Sequence, residues 1–180
     1  MWRVTETFLY FVYGSNLDIR QMTERCPGAE VVGTGYLPGH ALCFPRMSVK
    51  RNCGVSSVKP MEGAAVWGAV YRLTAVDLAL LDQREGYQPG RNRNLNSYTR
   101  LPVMVTMNGV ATEMQICFAE RQAGTFLPNM AYLRHILDGA RHHKLPDDYW
   151  PGLRRWPQAR KLDCWRRRTT RSIMVVIGGR

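Results

Sequence analysis

Apolar positions in this chain fall in short runs separated by Gly, Pro and Asn, with few long helical stripes. Thr7–Tyr13 is almost wholly apolar and alternates poorly, the pattern of a strand buried on both faces. It stops at Gly14-Ser15-Asn16, where Asn16 is placed to cap a helix whose apolar positions include Leu17, Ile19 and Met22, closed by Pro27-Gly28. Glu30–Tyr36 and His40–Phe44 read as strands around a Leu37-Pro38-Gly39 turn, and residues 46–60 as a polar loop around a short strand at Gly54–Val58. Val66–Leu73 is a stronger strand. Thr74 with Asp77 three residues on is a capping-box variant, opening a helix through Val76, Leu78, Leu80 and Leu81 towards Glu85, with Gly86 as its terminator. Gln88–Ser97 reads as an exposed loop. Tyr98–Met107 and Val110–Phe118 flank Asn108-Gly109, a strong hairpin signal. Asn129 caps a helix over Met130, Leu133, Ile136, Leu137 and Ala140, and Leu145–Tyr149 restarts a second one with Pro146 near its beginning.

Strands dominate and the helices are short and scattered. The class expected is α+β: a mostly antiparallel, barrel-like sheet with helices packed outside. One domain is expected over residues 1–163, followed by a tail over 164–180. That tail joins a basic run, Arg166-Arg167-Arg168, to an isolated apolar run, Ile173–Ile177.

With 180 residues the chain has the bulk for one real core. No apolar run reaches about 18 residues, so no membrane-spanning helix is expected, and Phe8–Val12 is too short for a secretory signal. Five cysteines without a Cys-x-x-Cys pair argue against a disulfide framework and a zinc ribbon. Reduced thiols in a cytoplasmic protein are the simplest reading. The net charge of +11 raises the question of nucleic acid. Much of the excess follows His135, where Trp165 is the sole aromatic beside the Arg run, so a single-strand stacking platform is disfavoured and a solvated arm preferred. His142-His143 face different directions on a helix and do not form a metal site. The run Ile173–Ile177 is β-prone and expected to dock on a sheet edge or pair with a second chain, as in a homodimer.

Two segments carry candidate chemistry. One is the strand that ends abruptly at Tyr13-Gly14-Ser15-Asn16. The other is Leu81-Asp82-Gln83-Arg84-Glu85-Gly86, which brings one carboxylate to a helix end, where the backbone dipoles favour cations. Together they resemble the γ-glutamyl cyclotransferase (AIG2-like) family, marked by a Tyr-Gly-Ser-Asn turn and a single Glu in a Leu-Asp-x-x-Glu-Gly segment. Val66–Leu73 resembles that family's Val-Trp-Gly-x-Val-Tyr strand. Pro128, Tyr132, Ile136, Gly139-Ala140 and Leu145-Pro146 with Tyr149 resemble its C-terminal helical pair. The likeness runs from Thr7 to Leu153 and leaves the tail uncovered.

The resemblance implies a cofactor-free, metal-free enzyme that cyclises a γ-glutamyl amide to 5-oxoproline and releases an amine or amino acid. It makes Glu85 the catalytic acid/base. Tyr10, Phe11, Val12, Tyr13, Gly14, Ser15 and Asn16 would be the substrate-contacting strand end and turn, with Gly14 admitting close approach. Phe118 stands where relatives often carry a Tyr whose hydroxyl holds substrate. The implied partner is a small-molecule γ-glutamyl compound. Two rival readings are a relative acting on an unusual amine conjugate, such as a γ-glutamyl-lysine isopeptide, and a non-catalytic module binding nucleic acid or a protein on the same scaffold.

Overall fold

A computed structural model of the chain describes residues 6–149 and Gly152. The expected tail over 164–180 lies outside the described residues. Five strands, β1 (Thr7–Val12), β2 (Glu30–Ser48), β3 (Cys53–Thr74), β4 (Tyr98–Met107) and β5 (Val110–Ala119), close a barrel in the order β1-β3-β2-β4-β5. All neighbours are antiparallel except the closing pair, where β1 meets β5 in parallel at Tyr10–Gln115. Helices α1 (Ile19–Arg25), α2 (Ala75–Glu85) and α3 (Met130–His142) complete the α+β architecture.

The strand elements are longer than the sequence pattern implies. Leu37-Pro38-Gly39 is not a turn, and residues 46–60 are not a loop. They belong to one hairpin, β2–β3, whose tip is at residues 49–52. Register shifts between Val31 and Gly33, Pro38 and His40, and Cys43 and Arg46 restart the in–out alternation each time. A continuous strand therefore reads as several short ones. Opposite Gly39, residues 61–64 bulge from β3. Gly39 and Gly63 absorb the irregularity at φ of 66° and 73°, which a side chain would resist.

Local signals hold where a cap or turn decides the geometry. Thr74 and Asp77 close a complete capping box on α2, and Gly86 ends that helix at φ 67°. Asn108 and Gly109 turn β4 into β5 at φ of 52° and 77°. Asn129 caps α3 by accepting from Tyr132 N. Pro146–Tyr149, where the pattern begins a second helix, is a turn closed by Tyr149 N donating to Pro146 O at 3.1 Å; Gly152 is helical, and the rest of that segment lies outside the described residues.

The core fills the barrel and the seam under α3. Tyr10, Phe11, Leu17, Leu73, Leu81, Ile116, Leu133 and Ile136 are almost fully buried. Gly139 lets α3 lie directly on the turn at Ser15–Leu17. A Cβ on Gly139 would sit 2.3 Å from the Leu17 carbonyl carbon. The end of α2 is tied to the barrel by a two-pronged ion pair, Arg100 Nε to Asp82 Oδ1 at 2.9 Å and Arg100 Nη2 to Asp82 Oδ2 at 3.1 Å. That pair lies one helical turn before Glu85.

Candidate functional site

Glu85 is the last residue of α2. Its carboxylate lies where the mouth of the barrel meets the turn that follows β1. The chain leaves β1 at Val12 and tightens into a 3₁₀ turn at Ser15–Leu17, closed by Leu17 N to Gly14 O at 3.0 Å. The first N–H groups of such a turn have no partner within it, so Ser15 and Asn16 offer donors.

Asn16 does not cap α1. Asp18 does, accepting from Arg20 N at 3.0 Å. That frees the Asn16 amide, whose Nδ2 donates to Glu85 Oε1 at 3.0 Å. Arg25, at the end of α1, donates through Nη1 to the same oxygen at 2.9 Å and to Asn16 Oδ1 at 2.8 Å. Gln21 steadies the arrangement by donating to Asn16 Oδ1 and Ser15 Oγ at 3.0 and 3.1 Å. All the hydrogen bonds to Glu85 fall on Oε1, and Oε2 accepts none among the described residues. Arg91 and Arg93, close in sequence, face elsewhere: Arg91 grips Asn96 and Gly86 O, and Arg93 pairs with Glu120.

A narrow cavity is lined by Tyr10, Phe11, Val12, Tyr13, Gly14, Ser15 and Asn16 together with Glu85. Seven expected contact residues and the expected acid/base therefore meet in one place. Phe118 does not join them. It lines a separate cavity with Phe44 and Phe126, because neighbouring residues on β5 face opposite sides and Cys117 takes the inward position. Ser56, Tyr98, Cys117 and Tyr132 complete the lining. Tyr132 OH accepts from Ser56 N at 3.0 Å and lies 2.8 Å from Ser56 Oγ, while Tyr13 OH donates to Cys117 O at 2.5 Å. Ser56 also explains Gly14. A Cβ there would come within 2.1 Å of Ser56 Oγ, so the missing side chain makes room for the protein wall rather than for substrate alone.

Burial, reinforced by the nearby Glu85 charge, raises the hydroxyls of Tyr10, Tyr13, Tyr98 and Tyr132 above the usual phenol range. They stay protonated and act as hydrogen-bonding walls. Burial likewise raises the Cys117 thiol, with the Glu85 charge adding to it, and pushes Cys26 up to about 12. Neither is poised as a nucleophile. The chemistry on offer is one carboxylate beside several neutral donors.

The AIG2-like family matches residues 65–153. The mouse γ-glutamylcyclotransferase is 28% identical over 153 residues, covering 83% of this chain and 78% of the relative. The human γ-glutamylcyclotransferase is also 28% identical, over 154 residues, with the same coverage. A solved γ-glutamyl cyclotransferase superposes with a TM-score of 0.76 at 25% identity, covering 85% of this chain and 89% of its own. In sequence and in fold this chain is similar to the γ-glutamyl cyclotransferase, AIG2-like family. A solved human protein described as uncharacterized shares the fold at a TM-score of 0.75 and 26% identity.

Sequence reading of the family motifs does not find Arg25, Ser56, Tyr98 or Tyr132. Arg25 lies nine residues beyond Asn16, one turn of chain and a short helix away. Ser56 comes from the start of β3, and Tyr132 from the start of α3. Tyr132 alone carried a hint, as part of the family-like C-terminal segment. No helix among the described residues is long and apolar enough to cross a membrane.

Proposed function

We propose that the chain is a γ-glutamyl cyclotransferase, turning a γ-glutamyl amide into 5-oxoproline and a free amine. The observation that carries this reading is the Glu85 carboxylate, anchored at Oε1 by Asn16 and Arg25 with Oε2 open, at the edge of the cavity lined by Tyr10–Asn16. The relatives named γ-glutamylcyclotransferase support it.

The reaction needs no external nucleophile. The substrate's α-amine attacks its own γ-carbonyl carbon, a five-membered ring closes, and the bond to the leaving nitrogen breaks. A folded substrate held with amine and carbonyl at about 3 Å gains most of what proximity can give. Glu85 Oε2 takes a proton from the α-ammonium and hands it to the leaving nitrogen, and the second proton that the attacking nitrogen sheds on ring closure follows the same route, so one group serves as base and then acid and leaves a neutral lactam and a protonated amine. Arg25 and Asn16 fix the carboxylate so that its free oxygen faces the reacting atoms. N–H groups of Ser15 and Asn16 and the neutral tyrosine hydroxyls offer hydrogen bonds to the oxygen on which charge develops. Tyr98 and Tyr132 line the cavity, so the absence of Phe118 from it does not leave it without phenol side chains.

The test is release of 5-oxoproline from a panel of γ-glutamyl compounds, with Glu85→Gln as the comparison. Turnover should fall by at least about 10²-fold with an unchanged fold, the scale of losing general acid–base catalysis. Activity within a few-fold of the parent would remove Glu85 from the mechanism.

A further inference from the structure

The narrow cavity opens outward into a larger one that shares four of its walls: Ser15, Glu85, Tyr98 and Tyr132. Glu85 stands at the boundary between them. If the γ-glutamyl part occupies the inner cavity, the leaving nitrogen lies beside Glu85 and its substituent points into the outer one. The outer cavity thus holds whatever distinguishes one γ-glutamyl compound from another.

Its walls are strongly cationic. Arg46 and Arg51 are half-buried there, Lys50 and Arg84 lie exposed at its rim, and Glu24 is the exposed acid among them. The two half-buried guanidiniums are held in place by neutral groups. Arg46 donates to Glu120 O and Ser97 Oγ, each at 3.3 Å. Arg51 donates to Gln21 Oε1 at 2.6 Å and lies 5.2 Å above the Tyr132 ring. Neither makes an ion pair among the described residues, whereas Arg25 in the same cavity spends its charge on Glu85. Orienting two half-desolvated guanidiniums without a carboxylate is costly unless an anion from outside completes them. Electrostatic focusing in a concave wall favours that anion further.

We propose that the outer cavity is a subsite for an acidic leaving group: an amino acid or peptide bearing a side-chain carboxylate beside its own carboxylate, held by Arg46 and Arg51. This rests on the cyclotransferase reading and specifies which γ-glutamyl compounds the site prefers. A polyamine or the lysine side of an isopeptide would bring a cation against these arginines and is disfavoured by like-charge repulsion.

Two measurements test it. The first is kcat/KM for 5-oxoproline release from γ-glutamylaspartate, γ-glutamylalanine, γ-glutamyl methylamide and γ-glutamylputrescine at neutral pH. The order should follow negative charge, with about fivefold for each carboxylate gained, the scale of a well-placed but solvent-reachable ion pair. The preference should sit in KM, weaken as NaCl rises, and shrink in Arg46→Gln and Arg51→Gln. Equal rates across the panel, or an unchanged aspartate-to-methylamide ratio in both variants, would overturn the subsite while leaving the cyclotransferase reading intact. The second is calorimetric binding of N-acetylaspartate against N-acetylalanine, which needs no turnover. If no compound releases 5-oxoproline, the reaction assignment fails and the calorimetry decides the subsite by itself. Tighter, salt-sensitive binding of N-acetylaspartate that is lost in Arg46→Gln supports it, and equal or absent binding of the two overturns it.

Discussion

Replacing Gly139 with Ala should damage the site from behind, without touching any group that lines it. Gly139 packs against the 3₁₀ turn that carries Ser15, Asn16 and Leu17. Its added Cβ would lie 2.3 Å from Leu17 C and 2.4 Å from both Leu17 Cβ and Leu17 O. Ordinary carbon contacts lie at about 3.5–4.0 Å, so α3 and the turn must part by about 1 Å. None of the three atoms is the free end of a flexible side chain, and Leu17 is fully buried, so the strain has nowhere local to go. Overpacking of this kind costs about 1–3 kcal/mol. In a domain of this size that lowers Tm by roughly 2–4 °C per kcal/mol. A shift of about 1 Å at Asn16, which holds Glu85 Oε1, should cost up to about 10²-fold in kcat. The assay is turnover well below Tm beside thermal unfolding. Val105→Ala, which empties fully buried space in the barrel wall, serves as the control for destabilisation alone. Gly139→Ala should lose turnover while Val105→Ala, at comparable Tm loss, keeps it. Equal kcat in the two variants would refute the claim that α3 sets the position of the turn, and an unchanged Tm in Gly139→Ala would refute the packing itself.

Other positions give sharper local tests. Gly14→Ala should reduce kcat/KM strongly because its Cβ meets Ser56 Oγ at 2.1 Å; the double variant with Ser56→Ala should recover part of the loss, and no recovery would place the cause outside that contact. Arg25→Gln should lower kcat by about tenfold, since a charge-assisted hydrogen bond to Glu85 Oε1 is lost while the Asn16 donor remains; steady-state turnover like the parent's would show the Asn16 donor suffices. For Asp18, burial pulls the carboxyl upward, but the hydrogen bonds from His135 and Arg20 N outweigh it and hold the group below its ordinary value. Its contribution is therefore present above the unfolded pKa and lost as pH falls through the folded one. Asp18→Asn keeps a capping acceptor but no charge, so it should be less stable by about 0.5 kcal/mol at neutral pH. Urea curves of the two proteins should converge as pH falls through the depressed folded pKa of Asp18, and a gap that persists at the acid end would assign the effect to shape rather than charge.

How much of this was legible in the chain depends on how local each signal is. The caps of α2 and α3, the left-handed end at Gly86 and the Asn108-Gly109 hairpin are decided within a few residues, and all appear where the pattern puts them. The Glu85 segment and the Tyr10–Asn16 strand end were readable for the same reason, each being a short element with its own terminator. Three bulges concealed the length of β2 and β3, because each resets the period on which strand reading depends. Phe118 was placed one residue out of phase, and in a strand one residue is the difference between two faces. Asn16 looked like a cap by residue type, but the 3₁₀ turn moved that task to Asp18 and left Asn16 to bind Glu85. The pairing of Arg25 with Glu85, the wall that Ser56 and Tyr132 build, and the meeting of Arg46 and Arg51 with Glu85 around the outer cavity join residues dozens of positions apart. No period or spacing encodes such meetings: the residues come together only when the barrel closes and α3 settles against Leu17.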